Sequence, residues 1–264
     1  MTTVFFLFLF HQALGLLLAL VFVPDRAGDR FFRLSSAAAA VMTTAGLGLL
    51  ARRFGVAAPQ APGGDAYAAV LGLTVASLLL VVAYNRAWAF EWRGRRPLLL
   101  SALAAGLGSV ALAAPAANRA LVVANDLTSI ALLGGTAGAM ILGHYYLMVL
   151  DLPIRALRSL TVLLAVSLAL RTLVVAFALL GPVHAGLSDA GLVAAGLWSP
   201  DGVFVWMRLL FGIVGPAALM GFVWKTVEIR STQSATGILY VQLFLVLSGE
   251  LLAKYLRVAA GLPL

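Results

Sequence analysis

Several polar or ionisable residues stand inside apolar stretches of this sequence that are long enough to cross a membrane. They are His11, Gln12, Arg171, Arg208, Glu250 and Lys254. At about 1.5 Å of rise per helical residue, most of them lie roughly 8–13 Å below one face of a bilayer. An unpaired charge at the bilayer centre costs about 2.5–3.5 kcal/mol or more. We therefore expect these side chains to meet at one level inside a helix bundle, as a candidate quinone or proton site.

The residue types suit three kinds of chemistry. A quinone headgroup accepts hydrogen bonds on two carbonyl oxygens and exchanges protons, so its site needs donors and a titratable acid or histidine. A lipid phosphate would use Arg171 and Arg208 without any need for Glu250. A proton path would use Glu250 and His11 at membrane depth. These alternatives stay open. We expect a quinone as the bound cofactor, with no covalently attached cofactor and no metal.

Structural interpretations compete with these functions. Glu250 and Lys254 are spaced four residues apart in the order that favours an ion pair on one helix. Long basic side chains near helix ends also extend to the membrane surface, which would account for Lys254, Arg257 and Arg208. We favour such structural roles for Lys254 and Arg257. Arg171 and Glu250 lie deeper, so each requires a partner, a wet cavity or a ligand.

A second group of polar and aromatic residues lies near the other end of the fifth apolar stretch. It comprises His144, Tyr145, Tyr146 and Asp151. The pattern is typical of an aromatic belt at the membrane surface. The alternative is a contact with a lipid headgroup or a partner subunit on the inner face.

The histidine positions argue against haem b. Two axial histidines must face each other at one depth, whereas His11 lies about 10 Å and His144 about 25 Å below the same face. His184 is expected just beyond the sixth helix, in a loop. The sequence has no cysteine, which excludes thiolate metal sites and thioether attachment of haem.

The elements that position these residues are predicted to be eight transmembrane helices, which makes the fold all-α. The chain of 264 residues is 62% hydrophobic and 11% charged, with a mean hydropathy of +1.04. A bilayer core of about 30 Å needs about 20 apolar residues per helix. The predicted spans are 4–23, 34–51, 66–85, 98–115, 127–150, 157–180, 203–223 and 236–257.

Basic residues in the loops predict the orientation. The loops after the first, third, fifth and seventh helices carry most of them, whereas the opposite loops carry Arg52, Arg53 and Arg119. Because basic loops stay in the cytoplasm, both termini are predicted to lie outside. Ser188, Asp189 and Trp198 predict a short helix over 189–198 on the outer surface. Gly215 and Pro216 predict a kink in the seventh helix.

The sequence therefore predicts a single integral membrane domain over residues 1–264 in a bacterial cytoplasmic membrane. Its net charge of +8 is spread over short loops, which excludes the clustered basic face of nucleic-acid binding.

Helix number and orientation resemble the quinol-interacting anchor subunits of bacterial molybdenum oxidoreductases. No motif of that family matches, so no site residue carries over. We expect a membrane subunit of an energy-converting complex that anchors redox partners on the outer face. A small transporter or lipid-handling protein and a purely structural subunit are the alternatives.

Overall fold

The computed structural model describes residues 1–54, 64–92, 94–115, 118–147, 152–184 and 202–259. Regular structure in these ranges is helical. A short 3-10 turn, Asp25–Ala27, follows the first helix. The long helices are α1 (Thr2–Val21), α2 (Asp29–Phe54), α3 (Gly64–Ala89), α4 (Arg95–Ala113), α5 (Arg119–Tyr146), α6 (Arg155–His184), α7 (Gly202–Glu228) and α8 (Thr232–Ala259).

Within the described ranges, eight helices are long and apolar enough to cross a membrane. Large apolar side chains cover their outward faces: Leu79, Phe177 and Phe244 are 64%, 66% and 66% exposed. In water such a surface would be costly, and lipid is the solvent that suits it. The predicted all-α class is confirmed, and the described residues contain the predicted number of helices that are long and apolar enough to span a membrane.

Two helices extend beyond the predicted spans at their ends away from the arginine-rich loops. The fifth span was predicted to begin at residue 127, but α5 begins at Arg119, so Arg119 is helical rather than part of a loop. The sixth helix includes His184 as its last residue, where a loop was expected. The predicted surface helix at 189–198 lies outside the described residues.

Helix α5 lies at the centre of the bundle and packs against α1, α6 and α8. Its glycines allow this close approach: a Cβ on Gly134 would overlap the carbonyl oxygen of Gly15 in α1. A Cβ on Gly135 would lie 3.0 Å from the backbone nitrogen of Leu164 in α6. Small residues let helix backbones meet in this way. Polar side chains on α5 can consequently reach three neighbouring helices.

Helix α7 departs from α geometry at its centre. A π-helical segment, Leu210–Val214, separates the α-helical parts Gly202–Leu209 and Gly215–Glu228. Pro216 lacks a backbone donor, so a regular α-helical hydrogen bond cannot form there. The side chain of Gln242 in α8 donates to the Pro216 carbonyl oxygen at 3.1 Å. The sequence predicted a kink at this position, and the structure has a π-helical turn immediately before it.

The arginine-rich end of the bundle, where α1 and α3 end and α2, α4 and α6 begin, is tied together by an aromatic stack. The rings of Phe32 and Trp88 lie 4.3 Å apart and almost parallel. The Arg95 guanidinium sits 3.6 Å from the centre of the Trp88 ring and donates to Asp25 at 3.0 Å. These contacts join the turn after α1 to α2, α3 and α4.

Candidate functional site

The carboxylate of Glu250 forms the centre of a buried polar cluster near the other end of the bundle. Arg171 donates to it twice, from Nε to Oε1 at 3.0 Å and from Nη2 to Oε2 at 3.1 Å. Arg208 Nη2 donates to Oε1 at 3.0 Å, and Ser129 Oγ donates to Oε2 at 2.5 Å. Each oxygen thus accepts two hydrogen bonds, which fills the acceptor capacity of a carboxylate.

The Arg171 side chain also reaches α5. Its Nη1 donates to the backbone oxygen of Asn125 at 2.8 Å and contacts the side-chain oxygen of the same residue. Arg171 and Asn125 are both buried. One guanidinium therefore links α5, α6 and α8, and its geometry is set by fixed acceptors on two sides.

Arg208 is held differently. It is fully buried, but its Nε and Nη1 have no hydrogen-bond partner within the part of the chain that the structure describes. Nη1 occupies space left by Gly212, since a Cβ there would overlap it. A Cβ on Gly249 would in turn overlap Gly212. The π-helical segment and these two glycines place the Arg208 guanidinium beside Glu250 with two donors unused.

Lys254 joins the two carboxylates of the cluster through Ser129. Its Nζ donates to Ser129 Oγ at 3.0 Å and lies 3.6 Å from Asp126 Oδ1. The lysine side chain is 1% exposed. Because Ser129 donates to Glu250, a continuous chain of polar contacts runs from Glu250 through Ser129 and Lys254 to Asp126.

Asp126 forms the end of this chain that is nearest to solvent. Arg257 Nη1 contacts its two carboxylate oxygens at 2.6 and 2.7 Å, and the arginine side chain is 17% exposed. His11 Nδ1 lies 4.0 Å from Asp126 Oδ1, which is beyond hydrogen-bond distance. Both ring nitrogens of His11 lack hydrogen-bond partners among the described residues.

Positive charge is in excess in this charged cluster. Its members are His11, Asn125, Asp126, Ser129, Arg171, Arg208, Glu250, Lys254 and Arg257. Among the described residues of the cluster, three fully buried cationic side chains face two carboxylates, and Arg257 adds a fourth cation. Buried charge needs compensation by partners. The cluster is suited to bind a hydrogen-bond acceptor or an anion.

The structure brings together most of the site residues that the sequence singled out. Arg171 and Arg208 contact Glu250 directly, and Lys254 is linked to it through Ser129. His11 lies beside Asp126 rather than in contact with Glu250. Gln12 is buried, and its Oε1 accepts no hydrogen bond from the described residues.

Two structural interpretations of the basic residues were wrong. Lys254 and Arg208 do not extend to the surface; both are buried and bound within the cluster. The expected ion pair between Lys254 and Glu250 is replaced by the bridge through Ser129, because Lys254 turns towards Asp126 on α5. Arg257 is partly exposed, yet it too binds Asp126.

The sequence reasoning missed the contribution of α5. The predicted fifth span begins at residue 127, so Asn125 and Asp126 stand just before it and are not among the predicted site residues. In the structure α5 begins at Arg119, so both residues lie two turns inside the helix and are buried. Ser129 is not among the predicted site residues either. The signal that was available is the spacing of Asn125, Asp126 and Ser129, which places them on adjoining faces of one helix.

The second predicted group lies at the arginine-rich end. His144 is exposed, and its Nδ1 lies 3.3 Å from the hydroxyl of Tyr240. Tyr145 packs against Phe31 with ring centres 6.1 Å apart. Tyr146 donates its hydroxyl to the Pro153 carbonyl oxygen at 2.6 Å. Asp151 lies outside the described residues. These contacts fix the end of α5, and a lipid or partner contact there remains a prediction.

Similarity to known proteins assigns no function to the charged cluster, and neither do the potential metal ligands among the described residues. Within the described ranges, no group of three or more histidine, aspartate or glutamate side chains could hold a metal ion. The chain matches no protein-family model, no curated protein and no solved structure. Function must therefore be argued from the charged cluster.

Proposed function

We propose that this protein is a multi-pass membrane subunit of a bacterial respiratory or other energy-converting complex, and that its charged cluster forms a quinone or proton site. Both termini lie outside in this proposal, because most loop arginines follow the odd-numbered helices and basic loops stay in the cytoplasm. The cluster then lies near the outer face of the cytoplasmic membrane. Partner subunits that carry redox centres would dock on that face.

The observation that carries the proposal is the set of buried donors without partners. They are Arg208 Nε and Nη1 and the one ring nitrogen of His11 that carries a hydrogen in the neutral imidazole, since both ring nitrogens lack a partner among the described residues. Each buried donor that lacks an acceptor costs about 1–3 kcal/mol. A quinone headgroup presents two carbonyl oxygens that accept hydrogen bonds, so its binding would remove this cost. Its isoprenoid tail would remain in the surrounding lipid.

The charge of the cluster supports the same ligand. Reduction of a quinone places negative charge on its oxygens, and the excess of buried cations near Arg208 favours that charge. Protons must accompany the electrons. The chain from Glu250 through Ser129 and Lys254 to Asp126 supplies acidic and basic groups at membrane depth, which is what proton relays require.

Quinone binding by the isolated protein tests the proposal. The protein is purified in mild detergent, its quinone is extracted and quantified, and a short-chain quinone is titrated against tryptophan fluorescence. Arg208→Gln removes two unused donors and one charge. We expect the affinity to fall about 10- to 100-fold, since hydrogen bonds from charged donors contribute about 1.5–3 kcal/mol. Lys225→Gln, at the arginine-rich end, is the control and should bind as the wild type does.

The site would be rejected if the wild-type protein contained no quinone and if the Arg208→Gln and Lys225→Gln variants bound the short-chain quinone with equal affinity. Because Arg208→Gln also leaves Glu250 with one ion-pair partner fewer, thermal unfolding of each variant is measured first. His11→Gln provides a second variant, which leaves every ion pair made by the arginine and lysine side chains of the cluster in place. It should weaken quinone binding without a large change in thermal stability.

The excess positive charge favours a second candidate, a small transporter or lipid-handling protein for an anionic amphiphile. An anion would compensate the third buried cation directly. Tighter binding of a fatty-acid anion than of a neutral quinone would support it.

A protein that is stable as a monomer or homodimer would favour the transporter or lipid-handling candidate, whereas co-purification of redox proteins with the C-terminally tagged protein would favour the complex. Full assembly and activity of the Arg171→Gln, Glu250→Gln double variant would leave a purely structural role.

A further inference from the structure

A cavity of about 750 Å³ opens at the arginine-rich end, far along the bundle from the charged cluster. It lies between the turn that follows α1, the beginning of α4 and the first turn of α6. Its polar lining consists of Asp25, Arg26, Arg96, Arg155 and Ser159. A second cavity of about 380 Å³, which includes Arg230 and Thr232, adjoins it and shares Arg155.

The arginines of the larger cavity are only partly matched by acidic groups. Asp25 is already bound by Arg95 at 3.0 Å and lies 3.6 Å from Arg96. Arg26 and Arg155 form no ion pair with any residue that the structure describes. Two cationic side chains therefore line the cavity with donors available for an anion.

The position of the cavity indicates where that anion comes from. Val21 and Phe22, at the end of α1, form part of its wall and are 40% and 44% exposed. Val21 is the last residue of a membrane-spanning helix, so the wall continues into the surface that contacts acyl chains. A soluble anion would gain nothing from this apolar wall. A phospholipid would place its phosphate on the arginines and its chains against Val21 and Phe22.

We propose that this cavity binds the phosphate of an anionic phospholipid through Arg26 and Arg155. Arginine suits a phosphate because its planar donors can pair with two oxygens at once. Basic pockets between transmembrane helices are known to hold anionic headgroups. The site is independent of the charged cluster and of the proposed quinone function.

Lipid binding by the full-length protein tests this site. The protein is delipidated in detergent, and binding of phosphatidylglycerol and phosphatidylcholine is measured by native mass spectrometry. Each arginine near an anionic headgroup is worth about fivefold in affinity, so two give roughly 30-fold preference for phosphatidylglycerol. The Arg26→Gln, Arg155→Gln double variant should lose that preference. The Arg30→Gln, Lys225→Gln variant removes the same charge at the same end and should keep it.

Equal loss of preference in both double variants would overturn the proposal, because the attraction would then depend on total charge. Competition by millimolar inorganic phosphate as effective as that by phosphatidylglycerol would overturn the lipid assignment. Both arginines are exposed, so we expect the double variant to fold with wild-type thermal stability. If it does not, the single variant Arg26→Gln replaces it, with about a fivefold loss expected.

Discussion

Arg171 and Glu250 are joined by two parallel hydrogen bonds although 79 positions separate them in the chain. This paired geometry is the strongest form of contact between a guanidinium and a carboxylate. Both side chains are fully buried. The pair fixes α6 against α8 at the level of the charged cluster.

Glu250→Gln should destabilise the protein strongly. The substitution keeps the shape of the side chain but leaves Arg171 and Arg208 without their carboxylate, and removal of one partner of a buried ion pair costs about 3–5 kcal/mol. Thermal unfolding in detergent measures the effect. Glu228→Gln is the matched control, because Glu228 is exposed and pairs with exposed Lys225. A Glu250→Gln protein as stable as this control would show that the Glu250 carboxylate contributes nothing to the stability of the fold.

Asp126 and Arg257 should be energetically coupled. Their contacts at 2.6 and 2.7 Å are largely shielded from solvent, so a double-mutant cycle with Asp126→Asn and Arg257→Gln should give a coupling of about 1–3 kcal/mol. The same cycle on Lys225 and Glu228 should give at most about 1 kcal/mol, as exposed pairs do. Equal coupling in the two cycles would contradict the burial of the first pair.

Gly134→Ala should separate α5 from α1. The added methyl group would overlap the backbone of Gly15, which cannot move as a flexible side chain can, and such overpacking costs about 1–3 kcal/mol or more. Gly72→Ala is the control, because no atom lies within 4 Å of a Cβ at that position. It should be neutral or slightly stabilising, since alanine favours helix. Unfolding midpoints of the two variants decide the question.

Gly249→Ala should displace Arg208 from Glu250. The new Cβ would overlap Gly212 in the π-helical segment of α7, and α7 would have to move away from α8. We expect lower thermal stability and weaker binding of any ligand that uses Arg208. Gly237→Ala lies on the same helix with open space around it and should behave as the wild type. Unchanged ligand affinity in Gly249→Ala would mean that the close contact does not position Arg208.

The number and class of the helices were predictable because each span needs about 20 apolar residues, and apolar runs of that length are visible in the sequence. The meeting of Arg171 with Glu250 was also predictable, since two deep charges of opposite sign must find partners. That the two residues lie at one level along the bundle could be read from residue counts. The face on which each side chain lies could not, because apolar residues such as Leu239 and Phe244 occur on the buried and exposed sides of α8 alike.

The same limit explains why Asp126 was missed. A polar residue inside a helix looks like a helix end when only hydropathy is considered, and an aspartate favours the first turn of a helix. Its partner Arg257 is 131 positions away, so no local pattern connects them. Extension of Lys254 to the membrane surface was predicted for the same reason. A lysine side chain extends to the surface when no buried carboxylate lies beside it, whereas Asp126 lies 3.6 Å from the Lys254 Nζ.

The order of the charged residues along the chain has a consequence for biogenesis. Arg171 and Arg208 are both synthesised before Glu250, and 42 positions separate Arg208 from that carboxylate. At about 5–20 residues per second, a ribosome needs roughly 2–8 s to cover this interval. During that time α6 and α7 must enter the bilayer, or wait at its edge, with guanidinium groups whose final counter-charge does not yet exist. Completion of α8 is thus the event that allows the two preceding segments to settle.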